Sequence, residues 1–197
     1  MSRVFNPQNS SRLLSEERKE WLPPKKILEA CGLKEGDQFF DVGCGNGFFS
    51  LPAAEMVGSE GEVHGFDISS DMLEELSERR AESDHTNIYL HQVEAEGLPE
   101  NRMPGLNGRA DVLFFANILH EVEDPGEFFG SYLRLLEEES GRVVILDWRY
   151  DEMEPGPDLE ERLKSGEIKA ILKENDLEII FSKILNKRFY MFVGVSA

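Results

Sequence analysis

Three features of the sequence predict an α/β fold. Apolar runs alternate with segments of helical periodicity from about residue 22 onwards. A glycine-rich stretch, "DVGCGNG" (Asp41–Gly47), lies between the first of those runs and the helix that follows. The last two apolar runs are joined only through Asn186 and Lys187, too short a link for a helical crossover, so they should close the fold as an antiparallel hairpin. The expectation is five strands with helical crossovers and one terminal hairpin. They form a single domain over residues 1–197, with 1–22 as a leader and 23–197 as the α/β core.

The elements follow in order. A first helix is expected over Pro23–Cys31, with proline in its first turn, Ile27, Leu28 and Cys31 on one face and Gly32 as its stop. "QFFDV" (Gln38–Val42) is strand one. The helix after Gly47 contains Pro52, whose missing N–H should kink it or delay its start. Strand two is "EVHGFD" (Glu62–Asp67), and the next helix is "SDMLEELSERRA", with Ser70 as N-cap and Leu73 and Leu76 facing inward. Strand three is "NIYLHQ". Two prolines and three glycines make Val93–Arg109 a loop with at most one helical turn. "ADVLFFA" is a continuous apolar run suited to a parallel strand covered on both faces. "DPGEFFGSYLRLLEEE" reads as a helix capped by Asp124, with Pro125 at its first position, Glu127 completing a capping box, and a stripe of Phe128, Phe129, Tyr132, Leu133 and Leu136. "GRVVILDW" is strand five. A Pro/Gly loop (Met153–Pro157), a helix near Gly166–Glu174, and the hairpin strands "LEIIFSKI" and "FYMFVGV" complete the chain.

The chain's 197 residues, 40% of them hydrophobic, suffice for one substantial core. A formal charge of −18, from 39 acidic and 21 basic residues, points away from nucleic acid or an anionic membrane as partner. Only Cys31 and Cys44 occur, with neither disulfide framework nor metal-type spacing, and the polar start "MSRVFNPQNS" is no secretory leader. A soluble, cytoplasmic protein is expected.

A strand-to-helix turn at the carboxyl edge of a βαβ unit presents backbone N–H groups to a ligand, and glycine there permits close approach. Gly43, Gly45 and Gly47 occupy that turn, and Asp67, twenty residues past Gly47 at the end of strand two, is placed to accept hydrogen bonds from a ribose diol. Together they indicate an adenosine-containing ligand. A dinucleotide fingerprint would require glycine where Phe48 stands, and neither arginine nor lysine flanks the loop to meet a pyrophosphate. A ligand carrying an amine and a sulfonium but no phosphate suits these acidic surroundings, which describes S-adenosylmethionine.

"DVGCGNG", "GFDISSDML", "VEAEGLP" and "ADVLFFANILHEVEDP" together resemble the motifs of class I S-adenosylmethionine-dependent methyltransferases across nearly the whole chain. The sequence is most similar to the group related to ubiquinone/menaquinone-biosynthesis methyltransferases, and the leader "FNPQNSSRLLSEERKEWLPP" also occurs in that style within the group. The resemblance implies a Rossmann-like three-layer sandwich with a mostly parallel seven-stranded sheet of order 3-2-1-4-5-7-6, strand 7 antiparallel. It implies that Asp41, Gly43, Gly45 and Gly47 contact the methionine amino and carboxylate groups and the ribose. Asp67 would hold the ribose hydroxyls, Ile68 and Met72 would pack on the adenine, Glu94 and Ala95 would read its amino edge, and Asn117 would lie near the methionine portion. The group usually has aspartate where Glu94 stands, so a direct contact from Glu94 is the departure from its pattern.

Plainer readings stand beside these. Asp67 caps a turn, Met72 is core, Cys44 is a small loop residue, and His64 and His91 are structural. Asn117 and Asp147 at strand ends offer two oxygens, too few to define a cation site, so no metal is expected. Methyl transfer needs mainly in-line placement of the acceptor with water excluded. Acceptor specificity should then come from the leader and the loop after Trp148, where Phe5, Arg12, Trp21 and Met153 supply an apolar set with one cation. The leader has Ser15 as an N-cap and reads as a lid. His120, in "ANILHEVEDP", follows strand four and is the candidate proton acceptor, or it caps the next turn or pairs with Glu121 or Glu123. The acceptor is expected to be a small molecule. Two alternatives remain open: a non-catalytic S-adenosylmethionine-binding regulatory protein, and an NAD-type oxidoreductase, against which Phe48 and the absence of a Tyr-x-x-x-Lys pair both count.

Overall fold

The computed structural model describes residues 14–151 and 156–197. Phe5, Arg12 and Met153, expected above to meet the acceptor, lie outside the described residues. Seven strands run in the order β3-β2-β1-β4-β5-β7-β6, as expected. The chain gathers into two compact units, one ending at Glu94 and the other running from Ala95 to Ala197.

In the first unit, helix α1 (Glu16–Trp21) is capped by Ser15, whose hydroxyl accepts from the Arg18 N–H at 3.2 Å. Helix α2 (Pro24–Ala30) carries proline at its first position, where the missing N–H is harmless, and buries Ile27 and Leu28. Strand β1 (Gln38–Val42) pairs in parallel with β2 (Glu62–Asp67), and β2 with β3 (Ile88–Gln92). Helix α3 (Ser50–Val57) starts only two residues before Pro52, which therefore falls in the first turn; the proline delays the start of the helix instead of kinking it. Helix α4 (Ser70–Glu82) is capped by Ser69, not by Ser70 as expected. Ser69 has the extended backbone of a cap, and its hydroxyl accepts from the Met72 N–H at 3.3 Å, while Ser70 is already helical. β3 begins one residue later than expected, and the side-chain amide of the preceding Asn87 donates to the carbonyls of Ala54, Gly58 and Gly61.

In the second unit, β4 (Val112–Ala116) and β5 (Arg142–Trp148) are parallel, and β7 (Phe189–Ser196) is antiparallel to both β5 and β6 (Leu177–Leu185). Three residues, Asn186, Lys187 and Arg188, join β6 to β7; Asn186 and Lys187 both take positive φ, 47° and 61°, which matches the strand twist, and the Arg188 N–H closes the turn on the Leu185 carbonyl at 2.9 Å. The segment after Ala95 contains one helical turn, Pro104–Leu106, and is tied down by Arg134, whose guanidinium donates to the carbonyls of Leu98, Pro99 and Arg102. Helix α5 (Pro125–Tyr132) is capped by Asp124, which accepts from the Glu127 N–H at 2.9 Å. It ends well before Glu139, the expected limit. The Ala110 N–H donates to the Leu135 carbonyl and the Glu137 N–H to the Ala110 carbonyl, so bonds to the approach of β4 draw the chain out of the helix. Helix α6 (Ser165–Glu174) buries Ile168, Ile171 and Leu172, and Glu167 reaches back to accept from the Lys164 N–H at 2.7 Å.

Candidate functional site

In the first unit the glycine turn follows β1 and is stitched to the end of β2. The Gly43 and Cys44 N–H groups both donate to the Phe66 carbonyl, at 2.8 and 3.0 Å. Gly45 takes φ +53°, which aims its N–H at Asp67 Oδ2, 2.7 Å away. The other oxygen of Asp67, Oδ1, accepts from the Ser69 N–H at 2.9 Å. Gly47 has a packing reason of its own: at φ +85° a Cβ there would lie 2.2 Å from Leu76 Cδ1 on α4. Burial raises the pKa of the Asp67 carboxyl, opposed by the N–H groups of Ser69, Gly45 and Ile68. An ionised carboxylate accepts about four hydrogen bonds. The N–H groups of Gly45 and Ser69 take two of these positions and that of Ile68 also faces the carboxylate, which leaves acceptor capacity for a ribose hydroxyl. The turn-capping reading of Asp67 is therefore also realised, and it is compatible with ribose binding.

Asp41 is 2% exposed, and the Ser50 hydroxyl donates to its Oδ2 at 2.5 Å. Its carboxyl is raised to about 7, chiefly by burial, with the Ser50 bond opposing the rise and the charge of Asp67 adding to it. Asp41 thus sits inside the loop's own hydrogen bonding. Met72 is buried on α4, Ile68 is half-buried, and Glu94 is exposed. Phe48, the residue that breaks the dinucleotide pattern, stacks edge-on against Phe49 and carries the Arg18 guanidinium of α1 4.4 Å above its ring. Trp21 is half-buried at the end of α1. His64 and His91 are structural here: their rings stack, with His64 Nδ1 and His91 Nε2 2.9 Å apart, between Tyr89 and Phe66. Burial, and secondarily the neighbouring His64, lowers the His91 pKa to about 4.

In the second unit Ala95 is half-buried. Asn117 directly follows β4 at φ +56°, and both polar atoms of its amide are buried without a partner. His120 stands in the turn Leu119–Glu121, and its Nδ1 lies 2.6 Å from Asp147 Oδ1 on β5. The two side chains are 7% and 1% exposed. The Trp148 N–H donates to the same Oδ1 at 2.8 Å, whereas Oδ2 is buried and unpartnered. His120 Nε2 is 3.8 Å from Glu121 Oε1, beyond hydrogen-bond reach. The hydrogen-bond partner of His120 is thus Asp147, 27 positions away, with Glu121, one of the neighbouring acids expected from sequence, at ion-pair distance. Sequence alone presents Asp147 as a strand-end oxygen and not as the partner of His120; its signal is to be the only charge within the apolar run "VVILDW". No cluster of three or more metal-ligating side chains occurs among the described residues.

A methyltransferase domain family model matches residues 33–192. The chain belongs to that family. Among curated members it is 41% identical over 92 residues to aklanonic acid methyltransferase DauC of Streptomyces sp. (strain C5), a match covering 46% of this chain and 42% of that protein. It is 36% identical over 119 residues to demethylmenaquinone methyltransferase of Staphylococcus aureus (strain MRSA252), covering 56% of this chain and 48% of that one. The chain spans about half the length of the curated relatives it matches. Among solved structures, a SAM-dependent methyltransferase from Aquifex aeolicus superposes with a TM-score of 0.87 at 26% identity over 97% of this chain and 98% of that chain. Within this methyltransferase fold, the residues of the first unit fit S-adenosylmethionine: Asp67 at the glycine turn keeps acceptor capacity for a ribose hydroxyl. No helix among the described residues is long and apolar enough to cross a membrane.

Proposed function

We propose that this chain transfers a methyl group from S-adenosylmethionine to a small-molecule acceptor. The observation that carries the reading is the Asp67 carboxylate, fixed by the N–H groups of Gly45 and Ser69 and still able to accept from a ribose hydroxyl. Family membership supports it, as do relatives named for aklanonic acid and demethylmenaquinone, both small organic acceptors. When bound, the cofactor supplies an electrophilic methyl group on a sulfonium. Asp67 holds the ribose hydroxyls, with Gly43, Gly45, Gly47 and Asp41 forming the surrounding turn. Ile68 and Met72 pack on adenine, Glu94 and Ala95 meet its amino edge, and Asn117 contacts the methionine portion.

His120 and Trp21 meet the acceptor, together with Phe5 and Arg12 of the leader. Arg18, stacked on Phe48, connects α1 to the cofactor turn, which supports a covering role for the leader. The net charge of −18 supports a partner that is neither nucleic acid nor an anionic membrane, and two free cysteines support a reducing, cytoplasmic location.

Calorimetry with S-adenosylhomocysteine tests the reading directly. Micromolar or tighter binding is expected. Binding of NADH in that range with none of S-adenosylhomocysteine would overturn it in favour of an oxidoreductase. Binding of S-adenosylhomocysteine without any mass gain of one methyl group across a metabolite extract would leave a regulatory cofactor-binding protein.

A further inference from the structure

We propose that Asp147 is a positioning residue that holds His120 with its proton on Nδ1 and its Nε2 lone pair available, so that the methyl acceptor is a compound that must lose an O–H or N–H proton from the atom methylated. The inference rests on the methyltransferase reading above and adds the class of acceptor to it.

The geometry leaves one tautomer for neutral His120. Asp147 Oδ1 is an acceptor, so the 2.6 Å contact requires the proton on Nδ1. The Trp148 N–H donates to the same Oδ1 and favours this orientation of the carboxylate. With Nδ1 committed, Nε2 is the atom able to accept a proton, and no described hydrogen bond occupies it. The charged groups facing His120 are Asp147 on β5, Glu121 on its own turn, and Arg162 after the turn Leu159–Glu161. The Arg162 guanidinium is engaged by the carbonyls of Pro157 and Arg149. Burial alone lowers the His120 pKa, but the charge and hydrogen bond of Asp147, helped by Glu121, outweigh burial and Arg162 and carry it above its ordinary value. The pair is thus a stronger base than a free imidazole.

A base of this kind serves an acceptor that must lose a proton as it is methylated. For a hydroxyl acceptor, the O–H proton passes to His120 Nε2, the oxygen lone pair forms the new bond to the methyl carbon, and the C–S bond pair returns to sulfur. A neutral thioether, an ether and an imidazolium result. A thioether or tertiary amine, with no proton to lose, would gain nothing from the pair.

Long-range 1H–15N NMR of the full chain labelled at its four histidines tests the arrangement without cofactor or acceptor. His120 is assigned by its loss in His120→Gln. Neutral His120 should show the Nδ1–H tautomer and titrate above 6.5, and in Asp147→Asn its titration should move to lower pH. A neutral Nε2–H tautomer in the wild type, or an unmoved titration in Asp147→Asn, overturns the positioning role whatever the cofactor assay shows. Absent binding of S-adenosylhomocysteine would instead remove the methyltransferase reading, which keeps the two failures apart.

With catechol and a 1,4-naphthoquinol as probes, Asp147→Asn should lower kcat by about a hundredfold or more, with KM little changed. The acid limb of the wild-type rate should fall above pH 6.5 and shift to lower pH in the variant. Transfer to dimethyl sulfide or trimethylamine exceeding that to both hydroxyl probes overturns the acceptor class.

Discussion

Asp67 in the first unit and Asp147 in the second are both carboxylates at the carboxyl end of a strand, yet they are held by different chemistry. Asp67 accepts from two backbone N–H groups, those of Gly45 and Ser69. Asp147 accepts from one backbone N–H and from an imidazole. A carboxylate on backbone donors keeps its charge with no counter-ion and shares no mobile proton. One on imidazole belongs to a pair whose protonation follows pH. The first arrangement suits a fixed acceptor for ligand hydroxyls, the second suits proton transfer.

The comparison breaks most completely at Gly45, because its N–H is aimed at Asp67 by a φ of +53° that a β-branched residue resists. Gly45→Val should abolish binding of S-adenosylhomocysteine in calorimetry while the domain still unfolds cooperatively. Wild-type affinity in this variant would show that the loop backbone takes no part in the site. Removing the carboxylate and keeping the loop is a milder test. Hydrogen bonds to a charged acceptor contribute roughly 1.5–3 kcal/mol, so Asp67→Ala should weaken the same ligand by about tenfold to over a hundredfold. An unchanged Kd would return Asp67 to the role of a turn cap.

The different construction of the two carboxylates also explains what the sequence made legible. Asp67 was readable because its donors are backbone groups of a glycine turn with a fixed spacing, and any residue in that register supplies an N–H. The strand order and hairpin were readable for a similar reason: alternating apolar runs and the short link through Asn186 and Lys187 are local patterns. The His120–Asp147 pair joins side chains from two elements 27 residues apart, and nothing in local pattern says which of several nearby acids an imidazole will choose. The early end of α5 was hidden likewise, since it is imposed by backbone bonds from Ala110 and not by the helix's own residues. Gly47 shows the converse. Its presence was legible, but its packing cause, the side chain of Leu76, was not.

The smallest effect expected concerns stability and sharpens the contrast within the first unit, where Asp41 is held by a single hydroxyl. Its carboxyl is raised from 3.8 to about 7, so folded protein binds a proton there that the unfolded chain has already released. Stability from this group is complete below about 4 and is lost as pH rises to about 7, with a slope of at most about 1.4 kcal/mol per pH unit. His91 acts in the opposite direction. Its pKa is lowered from 6.5 to about 4, so its contribution is present above 6.5 and lost as pH falls toward 4. Between those limits the two slopes oppose each other, and the wild-type unfolding free energy should vary little on their account. Asp41→Asn removes one slope and keeps an amide able to accept from Ser50, so urea unfolding of this variant should show stability rising with pH between 4 and 6.5. His91→Gln should show the reverse, stability falling over the same interval. Parallel curves for Asp41→Asn and wild type would mean that Asp41 is ionised throughout this range and that the Ser50 hydroxyl alone suffices to hold its charge.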